Sequence, residues 1–148
     1  MHDKKESLGR MISILYRRGQ SDIGKKLEPY NIGKGQFSFL AELLLKDGKS
    51  QDELASNFRC DKATAARAIQ HLERHGYVER QQDPDDGRIK LVFITDKARE
   101  FQPLLFSILE GWTETLLQGF SADEKKIIFR LLSRSVENAT KTKIDEGE

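Results

Sequence analysis

Arg67 and Arg88 are the residues of this chain best suited to chemistry, and that chemistry is recognition, not bond breaking. A guanidinium offers parallel N–H donors in a planar fork, which matches a guanine edge or a phosphate. Arg67 lies in the run Asp61-Lys62-Ala63-Thr64-Ala65-Ala66-Arg67, and Arg88 follows the turn formers Asp83-Pro84-Asp85-Asp86-Gly87. With residues 62–75 on a helical wheel of about 100° per residue, Ala65, Ala68, Ile69 and Leu72 share one side. Ala63, Arg67, Gln70 and Arg74 share the other, with Thr64 and Ala66 on its flanks. Ala63 and Ala66 keep an exposed face small enough for close approach, and their methyls suit a thymine methyl. Lys62, Thr64 and the helix N-terminus suit phosphate oxygens. The competing account is an ordinary amphipathic helix with a solvated polar face.

Arg88 has the position of a residue that enters a minor groove, where negative potential favours arginine. Asp86, two residues earlier, can hold the guanidinium by a charge-assisted bond. Asp83 and Asp85 would repel phosphates, so such a tip must aim Arg88 and Lys90 inward and turn those acids away. A merely solvated tip explains Asp83 and Asp85 equally well, and the pairing of Asp86 with Arg88 less well.

The elements that position these residues can be read in order. Leu8, Met11, Ile12 and Leu15 give an apolar stripe to a helix over 7–28, closed by Pro29, Gly33 and Gly35. A second helix, about 35–47, carries Phe37, Leu40, Ala41, Leu44 and Leu45 and stops at Gly48. Ser50-Gln51-Asp52-Glu53 matches a capping box and opens a third helix to about Phe58. Asp61 caps the fourth, which ends at Gly76. The period then changes: Tyr77–Arg80 and Lys90–Ile94 read as two strands of a hairpin. Thr95 caps a fifth helix, about 96–118, in which Pro103 predicts a kink or a late start. Ser121-Ala122-Asp123-Glu124 opens a sixth, and the polar tail after about Thr142 is expected to fray. Two short helices running straight into a hairpin form a winged helix-turn-helix, a device for setting one helix in a DNA major groove.

The expected fold is therefore mainly α with a small β-hairpin wing, a winged helix-turn-helix over 31–95 with helices added at 1–30 and 96–148. Those outer helices have broad apolar faces that a single winged unit leaves in water, which predicts dimerisation helices and a homodimer. The formal charge of +1 does not mark a nucleic-acid binder. Residues 1–48 carry 9 Lys/Arg against 6 Asp/Glu, 49–95 carry 8 against 8, and 96–148 carry 8 against 10. Any DNA contact must then come from a few placed cations and not from a bulk field. A winged-helix interaction module that binds no DNA is the rival this neutrality favours.

Other classes fall away. No glycine-rich phosphate loop, HExxH or nucleophile elbow is present, so no enzyme and no cofactor is expected. No apolar run approaches membrane-spanning length, and the polar start MHDKKESLGR shows no signal peptide. A single cysteine, Cys60, forms no internal disulfide and no zinc set, which predicts an inert structural thiol in a reducing, cytoplasmic setting. His71 and His75 are four apart but lack a third ligand, His2 sits near the terminus, and no metal site is expected.

Thr64-Ala65-Ala66-Arg67, the Leu72-Glu73…Gly76-Tyr77-Val78-Glu79-Arg80 run and the Asp86-Gly87-Arg88…Ile94-Thr95 wing resemble the MarR family (multiple-antibiotic-resistance-type regulators) over nearly the whole chain. That resemblance implies homodimers joined through terminal helices, bound to palindromic double-stranded DNA operators as repressors or, less often, activators. It also implies release from DNA by small aromatic acids such as salicylate, held between dimerisation and DNA-binding parts. Met11, Leu15, Tyr30 and Phe37 are the candidate lining of such a cleft, with Arg10, Arg17 or Arg18 to meet a carboxylate; core packing and solvated surface are their alternative roles. Ala66 stands where relatives often carry a serine, which removes one polar contact. The first helix lacks the reactive cysteine of the oxidation-sensing branch.

Overall fold

The computed structural model describes residues 6–146; His2 lies outside them. Helix α1 (Leu8–Leu27) starts where the Ser7 hydroxyl accepts from the Arg10 amide at 3.2 Å. A single 3-10 turn, Glu28–Tyr30, follows it and closes on Asn31, whose φ of 63° is left-handed. Helix α2 (Phe37–Leu45) is shorter at both ends than the spacing predicts. The reason is local: Gly33 accepts from the amides of both Gln36 and Phe37, and the Gln36 side chain accepts from Gly33 at 2.6 Å, so a turn occupies the residues before Phe37.

A short strand that the sequence did not reveal follows α2. Strand β1 (Lys49–Ser50) pairs antiparallel with a later strand, Lys49 opposite Val92 and Ser50 opposite Leu91. Ser50 then ends the strand and caps α3 (Gln51–Asn57) in the reciprocal box expected, its hydroxyl accepting from Glu53 at 3.0 Å. Helix α4 (Lys62–Arg74) begins at Asp61, which accepts from the Thr64 amide at 2.6 Å. Gly76 ends it at φ 82°, a backbone that L side chains rarely adopt. Strands β2 (Val78–Gln82) and β3 (Lys90–Ile94) form the hairpin, from Val78 opposite Ile94 to Gln82 opposite Lys90. The sheet is thus three-stranded, β1-β3-β2, with the second hairpin strand at its centre. A two-residue strand is too short to show a period, so only its pairing partner reveals it.

Helix α5 (Asp96–Leu116) runs unbroken through Pro103 and starts at Asp96, so the late start does not occur. Thr95 anchors that start: its hydroxyl accepts from Ala98 at 3.3 Å and donates to the Gly76 carbonyl at 2.6 Å. Helix α6 (Ala122–Glu146) opens on a capping box between Ser121 and Glu124 and is helical past the point where fraying is expected.

The chain divides into two compact units, one up to Trp112 and one from Thr113 onward. The core of the first lies under α4. Ala65, Ile69 and Leu72 are fully buried, Ala68 nearly so, against Leu40, Leu43, Leu54, Val78 and Val92. Burying a leucine or isoleucine contributes on the order of 1.5–3 kcal/mol each. Helix α1 joins this unit through its C-terminal half, where Ile23 and Leu27 are buried. Gly19 there lies so near Trp112 that an added Cβ would stand 2.7 Å from the indole nitrogen. The N-terminal half of α1 instead leaves Leu8, Met11, Ile12 and Leu15 exposed, and in the second unit α6 exposes Ile127, Leu131, Leu132 and Val136.

Leu72→Ala should cost about 2–5 kcal/mol of unfolding free energy, because a leucine this tightly enclosed leaves a cavity that cannot collapse. Urea titration followed by circular dichroism measures it, and a loss below about 1 kcal/mol would contradict the packing described.

Candidate nucleic-acid interface

Helix α4 turns its buried face inward and leaves the opposite face free, as the wheel predicts. Lys62, Ala63, Thr64, Arg67, Gln70 and Arg74 are exposed, and Ala66 is half-buried. Arg67 donates from Nη2 to the Thr64 hydroxyl at 3.3 Å, a bond that orients the guanidinium and leaves its other donors unengaged by it. Asp61 accepts from the Thr64 side chain and backbone, and these bonds hold its carboxyl below the usual range. Lys62 makes an exposed ion pair with Asp52 at 3.7 Å, a contact worth little in water and easily exchanged for another anion.

At the hairpin tip Asp86 and Arg88 pair as expected. Asp86 Oδ1 accepts from the Arg88 amide at 3.0 Å and from Arg88 Nε at 3.2 Å, and Oδ2 takes Nη2 at 3.5 Å. The arginine side chain is 92% exposed and so projects from the wing. Asp83 is used within the turn, accepting from the Asp85 amide at 2.8 Å, while the Asp83 amide donates to Ile89. Lys90 is exposed at the start of β3.

The support beneath this surface rests on residues that the sequence reading did not single out for it. Arg80 on β2 donates to both carboxylate oxygens of Glu73 on α4, at 2.9 and 3.3 Å, and to the Gln51 side chain on α3 at 3.1 Å. One guanidinium thus ties the wing to both helices of the helix-turn-helix. Strand alternation could have exposed it, because Arg80 shares a face with buried Val78. Asp47 does similar work: its Oδ1 accepts from the amides of Gly48 and Ile94, both at 2.9 Å. Its signal was the Asp47-Gly48 turn dipeptide. Tyr77, 2% exposed, donates to the Tyr30 carbonyl at 2.7 Å, and burial pushes its phenol up.

The candidate ligand residues do not gather in the same way. Phe37 is packed into the core at 6% exposure. Tyr30 rests against the Phe101 ring at 5.0 Å between centroids. Arg10, Met11, Leu15, Arg17 and Arg18 lie exposed along α1. A separate cavity of about 490 Å³ opens where α1 ends, lined by Gly24, Lys25, Glu28, Asn31, Ile32, Gly33, Lys34 and His71. Cys60 is half-buried against the core. Among the described residues no three His, Cys, Asp or Glu side chains converge on one point. No described helix is long and apolar enough to cross a membrane.

Glu73 also fixes a pH dependence. The Arg80 bond holds its carboxyl below the ordinary 4.5. A carboxyl lowered in the folded state adds stability above its unfolded value and loses it as pH falls through the folded one. Between about pH 6 and about pH 3 the wild-type chain should therefore lose more stability than Glu73→Gln, whose amide does not titrate. Equal losses in urea titrations across that range would show that the Arg80 fork stabilises nothing.

Comparison with known proteins places most of the chain. The sequence model of the MarR family matches residues 33–90, from before α2 to the start of β3. The HTH-type transcriptional regulator YybA of Bacillus subtilis (strain 168) is 33% identical over 129 residues, 87% of this chain and 86% of that protein. The crystal structure of a MarR transcriptional regulator from Methanosarcina mazei Go1 superposes with a TM-score of 0.90 at 44% identity, over 91% of this chain and 97% of the other. A MarR family transcriptional regulator from Listeria monocytogenes, solved in complex with 26mer DNA, superposes with a TM-score of 0.83 at 28% identity, over 90% and 89% of the two chains.

Proposed function

The chain belongs to the MarR family of transcriptional regulators, and from that premise we propose that it binds double-stranded operator DNA as a homodimer. In this reading the operator is palindromic, the action is repression, and a small aromatic carboxylate such as salicylate releases the protein. The observation that carries the reading is the free face of α4, with Thr64 and Arg67 hydrogen-bonded to one another above small Ala63 and Ala66. Such a face admits a groove floor, and its arginine suits guanine O6 and N7. Arg88, braced by Asp86 on the wing, suits a minor groove beside it. The relative from Listeria monocytogenes solved with DNA supports the same reading.

Homodimerisation rests on surface. The exposed stripes of α1 and of α6 are more apolar than a lone chain keeps in water, and a second copy covers such faces most simply. Residues 1–30 and 96–148 are then the dimerisation helices and 31–95 the DNA-binding part. Release by a ligand follows if it favours a spacing of the two α4 helices that no longer matches major grooves about 34 Å apart. The seat for that ligand in this reading is a cleft between the dimerisation helices and the DNA-binding part, with Arg10, Arg17 or Arg18 of α1 to meet its carboxylate.

Arg67→Ala should weaken operator binding by on the order of 1–3 kcal/mol and relax preference at one base pair per half-site. Arg88→Ala should lower affinity with little change in major-groove preference. Operator selection from genomic fragments, followed by titration of both variants at fixed salt, tests this; wild-type affinity in both would overturn the assignment.

Charged substitutions at Leu131 and Leu132 should dissociate or unfold the assembly, as read by light scattering and circular dichroism. A folded wild-type monomer at micromolar concentration would overturn the dimer.

A further inference from the structure

His71 and His75 lie one turn apart on α4, and their rings meet at 4.6 Å between centroids. His71 belongs to two surfaces at once. On one side it lines the cavity at the end of α1, with Lys25, Glu28 and Lys34. On the other it lines a groove of about 440 Å³ with Thr64, Arg67, Gln70 and Arg74, the side chains assigned above to DNA. Its Nε2 meets the Asn31 carbonyl at 2.8 Å, a contact that requires Nε2 to carry the proton. That geometry leaves Nδ1 as the acceptor of any further proton, and protonation there preserves the bond to Asn31.

We infer that His71 is a contact to the DNA backbone that takes up a proton as DNA binds, and that His75 is its counterweight. This rests on the DNA-binding reading given above. A neutral imidazole beside Arg67 and Arg74 adds nothing to phosphate attraction, whereas an imidazolium adds a full charge and a donor. Two adjacent rings do not both charge easily, so the pair accepts one proton before the other. The surroundings decide which. His75 is pushed down by desolvation and by the charges of His71, Arg74 and Lys97. Lys97 of α5 also donates to the His75 carbonyl at 2.7 Å and lies over the Tyr77 ring. His71 faces the Asn31 carbonyl, with Lys25 and Lys34 on the cavity side opposed by the carboxylate of Glu28. Arg67 and Arg74 face it across the groove. A phosphate arriving in that groove favours the imidazolium over the neutral ring. Binding therefore draws in a proton within the pH range where histidine titrates.

The test is a titration of the full chain against a short mixed-sequence duplex, since a backbone contact carries no sequence information. Fluorescence anisotropy at fixed ionic strength, between about pH 7.5 and about pH 5.5, should show affinity rising about five- to tenfold, within the tenfold per pH unit that one linked proton allows. His71→Gln retains an N–H donor for Asn31 without a titrating group. It should flatten the profile, so that its affinity falls further below that of wild type as the pH drops. His75→Gln should keep the rise and move its midpoint to higher pH. Calorimetry in two buffers of different ionisation enthalpy should show proton uptake near the midpoint in wild type and none in His71→Gln. A flat wild-type profile, or an unchanged rise in His71→Gln, overturns this inference alone. Absence of DNA binding at every pH overturns the DNA reading and this inference with it.

Discussion

Complete dehydration of one face of α4 is the constraint on which the other features depend. Ala65, Ile69 and Leu72 have no contact with solvent, so the helix cannot rotate about its axis without exposing apolar surface at roughly 25 cal/mol per Å². Its opposite face is thereby aimed. This matters more here than in a basic protein, because residues 49–95 carry 8 positive and 8 negative groups. With no bulk field to gather a polyanion, the proposed reading requires direction to substitute for charge density. The Arg80 fork serves the same end, because it joins β2 to both α4 and α3.

A second set of contacts fixes how this unit is attached to α1 and to the start of α5. Tyr77 sits where α4 turns into β2, donates to the Tyr30 carbonyl and stacks near Phe101, which itself rests on Tyr30. Thr95 closes the other side by its bond to Gly76, and His71 adds the bond to Asn31. The left-handed backbone at Asn31 and Gly76 marks the two bends involved. The Tyr77–Tyr30 and His71–Asn31 bonds link the α4–β2 segment to the end of α1. Both run from a side-chain donor to a backbone carbonyl.

What could be read from the sequence was local. Capping boxes at Ser50 and Ser121, the cap at Asp61, the glycine stop at Gly76 and the Asp86–Arg88 pair all lie within four residues of their partners, so spacing alone announces them. The two faces of α4 were legible for the same reason. What escaped was set by partners far along the chain. Strand β1 exists because Val92 and Leu91 pair with it, and Arg80 bridges to a glutamine 29 residues away. Asp47 reaches an amide 47 residues on, and His71 reaches back 40 to Asn31. Of the two outcomes offered at Pro103, a kink or a late start, the late start lost to the Thr95 anchor, since helical contacts ahead of a proline outweigh one missing amide. Phe37 shows the converse limit: an apolar stripe states that a face is buried but not whether a core or a cleft receives it.

The acidic wing poses the sharpest physical question for the proposed reading, since Asp86 beside Arg88 subtracts charge where a tip directed at DNA would need it. As a source of stability the pair is negligible: the arginine side chain is 92% exposed, and such pairs contribute little in water. Its effect is on order. A free arginine loses up to about 2 kcal/mol of rotamer entropy when it is held in a groove. Asp86 fixes Nε and the adjacent amide in advance, so part of that loss is met during folding. The carboxylate engages Nε and Nη2 of the guanidinium and leaves Nη1 unengaged by it. On that reading a wing built in this way is weak as an electrostatic lure and strong as a shaped probe. That matches a chain whose formal charge is only +1 and whose contacts must depend on where each cation stands.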